Sequence, residues 1–412
     1  MNSSAEHTMP SDVNQICLAR QPILDRRCNV VAYELLFRYP GETVARIDNP
    51  GEATVKVITN AFTNIGIESL LGGKKAYINF DAVALKSDIV RMLPKENIVL
   101  EIPESVKLDL SVVKRLRQLH EEGYRFTLDD VQTIEDLEVL LPILDSIKLD
   151  INALDRDKFD ELMKYFQVHN KALLAVKIEN YNDFELCKSL GFRRFQGYFF
   201  AKPTTITEAE LPADKQHLIS IMNSIMEDAE NKVIEKNISR DISICYKLLK
   251  FVNSAGLSQG KELSSVGDAV NMLGRKQLYR WISVLLYSTT EEGNKQPNAL
   301  LNSAVFRGRF MEIIGEFTHH KNPSELFVLG AFSFLEALLQ RKLSWLLQDM
   351  LVPEAIREAL LESKGEYWPY LELAENMHSE KFNIKNIGLA GLTIGQINQA
   401  QLVATAYCES IT

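Results

Sequence analysis

The chain has 412 residues, of which 46% are hydrophobic, 25% charged and 8% aromatic; these proportions belong to a globular protein and exclude a disordered, fibrous or membrane-embedded one. Its 46 basic and 55 acidic residues give a net charge of -9, which excludes sequence-independent binding to duplex DNA through a basic face as the default. At roughly 150 residues per domain, the length implies two or three domains, each able to bury a core without metal or disulfide staples.

From the N-terminus to residue 203, short β-rich runs alternate with helix-patterned segments, the signature of a largely parallel βα fold. The runs are NVVAYELLF, KKAYINF, NIVLEI, YRFTLDD, SIKLDI, KALLAVKI and RRFQGYFF. Seven candidate strands over this length suit a (β/α)8-like barrel better than a small open sheet. Helices are expected in EATVKVITNAFTNIGIESLL and in PESVKLDLSVVKRLRQLHEEG. After the Pro- and Thr-punctuated linker FFAKPTTITEAELPADK the character changes. Leu218, Ile221, Met222 and Ile225 fall at helical spacing, and ISICYKLLKFVNSAG, GDAVNMLGRKQLYRWISVLLYS, SELFVLGAFSFLEALL and PEAIREALLES read as helices. The second half is therefore all-α, with EEGNKQPN as a loop. Trp281, Trp345 and Trp368 fall in helical patterns and are expected in cores or in domain packing. The division is an N-terminal segment 1–14, a barrel 15–203 and a helical domain 204–412.

Five irregularly spaced cysteines (Cys17, Cys28, Cys187, Cys245 and Cys408) form no CxxC pair, which points to a reducing, cytoplasmic setting and away from a thiolate metal site. No apolar run approaches the roughly 18 residues that span a bilayer, and MNSSAEHTMPSDVNQ has no signal-peptide core. No membrane partner is expected.

In a βα barrel, catalytic groups sit at the C-terminal ends of strands. Those positions carry Glu34 in AYELLFR, Asn79 in AYINF, Glu101 in IVLE, Asp129 and Asp130 in RFTLDD, Lys148 and Asp150 in IKLD, Glu179 after LLAVKI, and Gln196 in RRFQGY. Hard oxygen donors suit Mg²⁺ or Mn²⁺, and no His or Cys cluster offers zinc. Carboxylates converging on one rim repel unless cations neutralise them, so one or two divalent ions are expected. Two such ions are a device for displacement at a phosphodiester. Lys148 is placed to polarise a water. For each acid alone, a solvated loop carboxylate is the plainer alternative.

At this point an ordered series of motifs resembles the EAL family of cyclic di-GMP phosphodiesterases. QPILD and YELLFR resemble its opening Gln-Pro-Ile and its Glu-Ala-Leu-x-Arg signature, with Leu35 in place of alanine. INFD resembles Asn-Leu-Ser, LEIPES resembles Glu-x-Thr-Glu-Ser with Pro103 for threonine, and LDD, IKLD, VKIE and QGYFFAKP follow in order. The resemblance implies that Glu34, Asn79, Glu101 and Asp129 bind one metal ion, and that Asp129, Asp130 and Glu179 serve a second, with Gln196 on the second side. It implies catalytic roles for Lys148 and Glu179, contacts from Gln21, Arg38 and Gln196 to cyclic di-GMP, and a loop-steadying role for Glu104. The product implied is linear pGpG.

Two departures stand out. After Asp130 the family's Phe-Gly-Thr-Gly-Tyr-Ser-Ser gives way to a shorter stretch, VQTIEDLEVLLP, without glycines, the residue that permits sharp turns beside a ligand. In AVKIE, Val176 and Lys177 stand where glutamate and glycine occur. A Lys177 pointing inward would act as a fixed cation at the metal site. Residues 205–408 resemble the HDOD domain, a helical relative of HD phosphohydrolases, but the chain has no His-Asp dipeptide, and His319–His320 in FTHHKNPS read as a surface turn. This domain is expected to regulate and to bind signalling proteins rather than to hydrolyse. The fold class is thus an EAL-type (β/α)8 barrel followed by an all-α HDOD domain. Its expected function is metal-dependent hydrolysis of cyclic di-GMP, with a weakly active or inactive cyclic di-GMP receptor or scaffold as the alternative; a homodimer fits either.

Overall fold

The structure is a computed structural model that describes residues 17–38, 71–134, 137–201, 211–254, 263–287, 298–377 and 388–411. The chain divides into two compact units: one comprises 1–202, 297–302 and 372–412, the other 203–296 and 303–371.

Eight strands close the barrel of the first unit: β1 (Cys17–Leu24), β2 (Val30–Arg38), β3 (Lys75–Asn79), β4 (Ile98–Pro103), β5 (Arg125–Asp129), β6 (Leu144–Asp150), β7 (Ala172–Val176) and β8 (Arg194–Gln196). Seven match the runs expected from sequence. The eighth, β1, carries Arg20, Gln21 and Pro22 in mid-run, and proline demotes a strand pattern. β1 is antiparallel to both β2 and β8, while the remaining neighbours are parallel. The cause is the five-residue link 25–29, far too short for a parallel crossover. Asp25 folds that link by accepting from the backbone N–H of Arg27 at 2.8 Å and of Asn29 at 2.9 Å.

Helices α1 (Ala82–Lys86), α2 (Leu110–Glu121), α3 (Arg156–Val168) and α4 (Tyr181–Ser189) follow strands β3, β4, β6 and β7. Each begins where a side chain caps it: Asp81, Asp109, Asp155 and Asn180 accept from first-turn N–H groups. The expected helix PESVKLDLSVVKRLRQLHEEG therefore starts only at Leu110, and buries Val112, Leu116 and Leu119. EATVKVITNAFTNIGIESLL lies outside the described residues except for Leu71, which is buried. The barrel interior contains Ile23, Ala32, Tyr77, Val99, Leu174 and Val176. Because strand side chains alternate, positions two residues from this layer also point inward. That rule carries Gln21, Glu34, Asn79 and Glu101 to the rim.

Beyond the barrel run α5 (Ala213–Met226), α6 (Asn231–Ile238), α7 (Ile242–Ser254), α8 (Val266–Leu285), α9 (Asn298–Phe317), α10 (Pro323–Phe332), α11 (Leu335–Leu339), α12 (Leu343–Asp349), α13 (Glu354–Glu362), α14 (Trp368–Asn376) and α15 (Ile394–Ile411). Leu218, Ile221, Met222 and Ile225 of α5 are all buried. The run read as one helix in GDAVNMLGRKQLYRWISVLLYS is broken at Gly274, whose φ of 66° and ψ of 169° leave the helical region. EEGNKQPN falls outside the described residues apart from Asn298. Of the tryptophans expected in cores or in domain packing, Trp345 is 40% exposed, while Trp281 and Trp368 are half-buried. α15 packs against β1, with Ile397, Ala400, Ala404 and Cys408 buried at helical spacing. Among the described residues, no helix is long and apolar enough to cross a membrane.

Candidate functional site

Four inward positions of neighbouring strands meet at one end of the barrel. Carboxylate oxygens of Glu34 on β2, Glu101 on β4 and Asp129 on β5 lie within 4.8 Å of one another. Asn79, the last residue of β3, donates from Nδ2 to Glu34 Oε1 at 3.0 Å. Lys148 on β6 reaches all three acids: its Nζ lies 2.9 Å from Glu34 Oε2, 2.6 Å from Glu101 Oε1 and 3.4 Å from Asp129 Oδ2. Gln196 on β8 donates to Glu34 Oε2 at 2.6 Å and to Gln21 Oε1 at 2.9 Å. One inward position before Asp129 and Lys148 on the same strands, Ser146 and Thr127 join β5 to β6 through a 2.9 Å hydroxyl contact.

Burial makes this group electrostatically tense. Glu101 is 0% exposed and Lys148 1%. Burial, then the nearby charge of Glu34, holds the Glu101 carboxyl well above the usual carboxylate range despite Lys148. Burial also raises Asp129, against the pull of Lys148. For Glu34, the penalty of burial is outweighed by the Lys148 charge and by hydrogen bonds from Gln196 and Lys148, and its carboxyl is held low. Burial pulls the Lys148 ammonium down, but Glu101, Glu34 and Asp129 overcome it and raise its pKa.

The EAL resemblance implies a hard divalent ion at this rim, and the residues fit one. With all three carboxyls ionised, as ligands to a cation would be, three carboxylates against one ammonium carry a formal charge of two negative units among largely buried side chains. Glu101 Oε2 is buried with no hydrogen-bond partner, and unsatisfied buried carboxylate oxygens are costly. Three carboxylates and an amide make an oxygen-rich donor set of the kind Mg²⁺ and Mn²⁺ take.

The other residues singled out from sequence lie around this centre. Glu104 accepts from the backbone N–H of Gln132 at 3.0 Å, and its own N–H donates to the Asp129 carbonyl at 3.2 Å, tying the loop after β5 to the end of β4. Arg38 is the last residue of β2, opposite Cys17. Asp130 and Glu179 are exposed and are not among the three clustered carboxylates. Asp130 instead faces Lys177, whose Nζ lies 3.6 Å from Asp130 Oδ1 and 3.0 Å from Asp150 Oδ2. Asp150 also accepts from the N–H groups of Asn152 and Ala153. The sequence places Asp130 and Asp150 at strand ends and leaves the direction of Lys177 open, but does not join the three into this bridge. Its only signals were an aspartate ending IKLD and a lysine standing where the family has glycine. Val176, where glutamate is expected, is buried in the barrel core.

The EAL domain family matches residues 80–203 and the HDOD domain family residues 211–390. A protein of Vibrio cholerae named as the cyclic di-GMP phosphodiesterase CdgJ is 30% identical over 364 residues, covering 87% of this chain and 84% of that protein. The uncharacterized protein YuxH of Bacillus subtilis is 29% identical over 376 residues, covering 90% of this chain and 92% of that protein. A standalone EAL protein from Vibrio cholerae O395, solved with c-di-GMP bound, shares 22% identity. It covers 45% of this chain and 91% of its own, with a TM-score of 0.38.

Proposed function

The chain belongs to the family of proteins that join an EAL domain to an HDOD domain, and from that premise we propose that it is a cytoplasmic Mg²⁺- or Mn²⁺-dependent phosphodiesterase that hydrolyses cyclic di-GMP to linear pGpG. The observation that carries the reading is the convergence of Glu34, Glu101 and Asp129, drawn from three strands, with Asn79 and Lys148 between them. Glu34, Asn79, Glu101 and Asp129 are the residues that would hold the ion. When bound, such an ion supplies charge stabilisation at the phosphoryl oxygens and a water acidic enough to attack near neutral pH.

The protein's own groups do the rest. Lys148, whose ammonium form is favoured by the three acids around it, is assigned as a donor that orients the attacking water. Glu179, an exposed carboxylate just after β7, is assigned a catalytic role on the EAL resemblance. The amides of Gln21 and Gln196 are linked in the same layer, and with the Arg38 guanidinium they are assigned to the dinucleotide, Arg38 through a charge-assisted phosphate contact. Glu104 steadies the loop that carries Asp130. The helical domain is assigned regulation and partner binding.

The test is nucleotide chromatography of purified protein incubated with cyclic di-GMP and Mn²⁺. Linear pGpG should accumulate, EDTA should stop it, and Glu34→Ala should lose at least about 100-fold in rate, the scale on which a disrupted metal environment is felt. Unchanged turnover in that variant would remove the assignment. A second reading, a cyclic di-GMP receptor without turnover, is favoured by Val176 and Lys177 standing where the family has glutamate and glycine. Calorimetric binding of the dinucleotide with no product at high Mn²⁺ would select it.

A further inference from the structure

Lys177 adopts φ of 56°, a left-handed backbone that glycine takes freely and lysine rarely. The residue follows β7 directly, and in this conformation its side chain reaches back over the rim. There its Nζ lies 3.0 Å from Asp150 Oδ2 and 3.6 Å from Asp130 Oδ1. The Asp130 end is continuous with the metal centre, since the Asp130 backbone N–H donates to Asp129 Oδ1 at 3.0 Å. Asn152 closes the other end, donating from Nδ2 to the Lys177 carbonyl at 3.4 Å and from its backbone to Asp150 Oδ1 at 2.9 Å. The pair with Asp130, at 62% and 56% exposure, adds little to stability, and in the pair with Asp150 the lysine is as exposed while the carboxylate is buried. A strained lysine here is better accounted for by where it puts a positive charge.

We infer that the Lys177 ammonium is a tethered cation standing in for a second divalent ion, so that the centre works with a single ion held by Glu34, Asn79, Glu101 and Asp129. The inference rests on the metal-centre reading above and departs from the two-ion expectation. Asp130, assigned from sequence to a second ion, is turned to Lys177. With Lys177 between them, Asp130 and Asp150 keep only one formal negative charge, a weak draw for a divalent cation. The primary centre, with two, retains a strong one.

The experiment counts ions in the full chain without nucleotide, by calorimetric titration with Mn²⁺ and by electron paramagnetic resonance. The parent protein should bind one Mn²⁺ with an uncoupled spectrum. Lys177→Met, which removes the charge and keeps the length, should bind two and show the spin coupling of ions about 3.5–4 Å apart. Lys177→Arg, which keeps the charge, should stay at one. Two coupled ions in the parent, or one ion in Lys177→Met, would overturn the role of Lys177 while leaving the primary centre standing. No bound Mn²⁺ in the parent would instead remove the metal centre itself, and the inference with it.

Discussion

Lys148 is the residue whose removal leaves the rim most unbalanced, because it is the cation in contact with Glu34, Glu101 and Asp129. Deleting one partner of a buried ion pair costs about 3–5 kcal/mol, since the remaining charges stay desolvated and uncompensated. Lys148→Met should therefore lower the urea-unfolding free energy by about that amount in EDTA, and Mn²⁺ should restore more stability to the variant than it adds to the parent. Equal stability of variant and parent in EDTA would mean that Lys148 is not what balances these acids. Cys28 and Cys187, 4% and 0% exposed, have thiols pushed up to about 12, chiefly by burial. Only a thiolate reacts readily. Mass-spectrometric mapping of iodoacetamide adducts near neutral pH should find both unmodified in the native chain and alkylated in urea; rapid native alkylation of either would contradict their burial.

Among the elements, the exit of β8 is the tightest. A Cβ on Gly197 would collide with the backbone of Ile178, its carbonyl oxygen nearest and its nitrogen 2.5 Å away, and backbone atoms cannot swing aside as a flexible side chain would. This approach lets the Ile178 N–H bond the Gln196 carbonyl at 3.1 Å, which holds Gln196 at Glu34. Gly197→Ala should cost at least about 3 kcal/mol, the upper range for overpacking, and weaken Mn²⁺ binding; thermal melting with and without Mn²⁺ reads both, and a wild-type melt would refute the argument. Much of this architecture was legible in the sequence. Asn79 and Asp129 are polar residues closing apolar runs, and Glu101 lies two residues beyond Val99, so period-two alternation sends them to one rim. The amphipathic spacing of α5 likewise forecast its buried face. Other features leave no such trace. Pro22 disguised β1, and the hairpin that makes it antiparallel depends on the Asp25 turn. The break at Gly274 depends on one backbone angle. A lysine with positive φ carries no signature, so the Lys177 bridge could be weighed from sequence only as one direction of two.

At the scale of the whole molecule, buried acids with raised pKa values give stability a direction in pH. Cys28 and Cys187 in the barrel unit, and Tyr279 and Tyr287 in the helical unit, are all raised chiefly by burial. Each deprotonates more easily unfolded than folded. The contribution of the two thiols is complete below their free value of 9.0 and is lost as pH rises from there toward 12, and that of the two phenols begins to be lost only above their free value of 10.0. The urea midpoint at about pH 10 should fall below that at about pH 8; an equal or higher midpoint would contradict the assignment. The same fold brings residues far apart along the polypeptide to one rim, where they are proposed to share a cation. Anomalous diffraction at the manganese edge from crystals grown with Mn²⁺ tests it most directly. A peak is expected within about 2.0–2.3 Å of oxygens from Glu34, Asn79, Glu101 and Asp129, at the separation usual for such ions; a data set with no peak there, or with manganese bound only elsewhere on the chain, would rule the shared cation out.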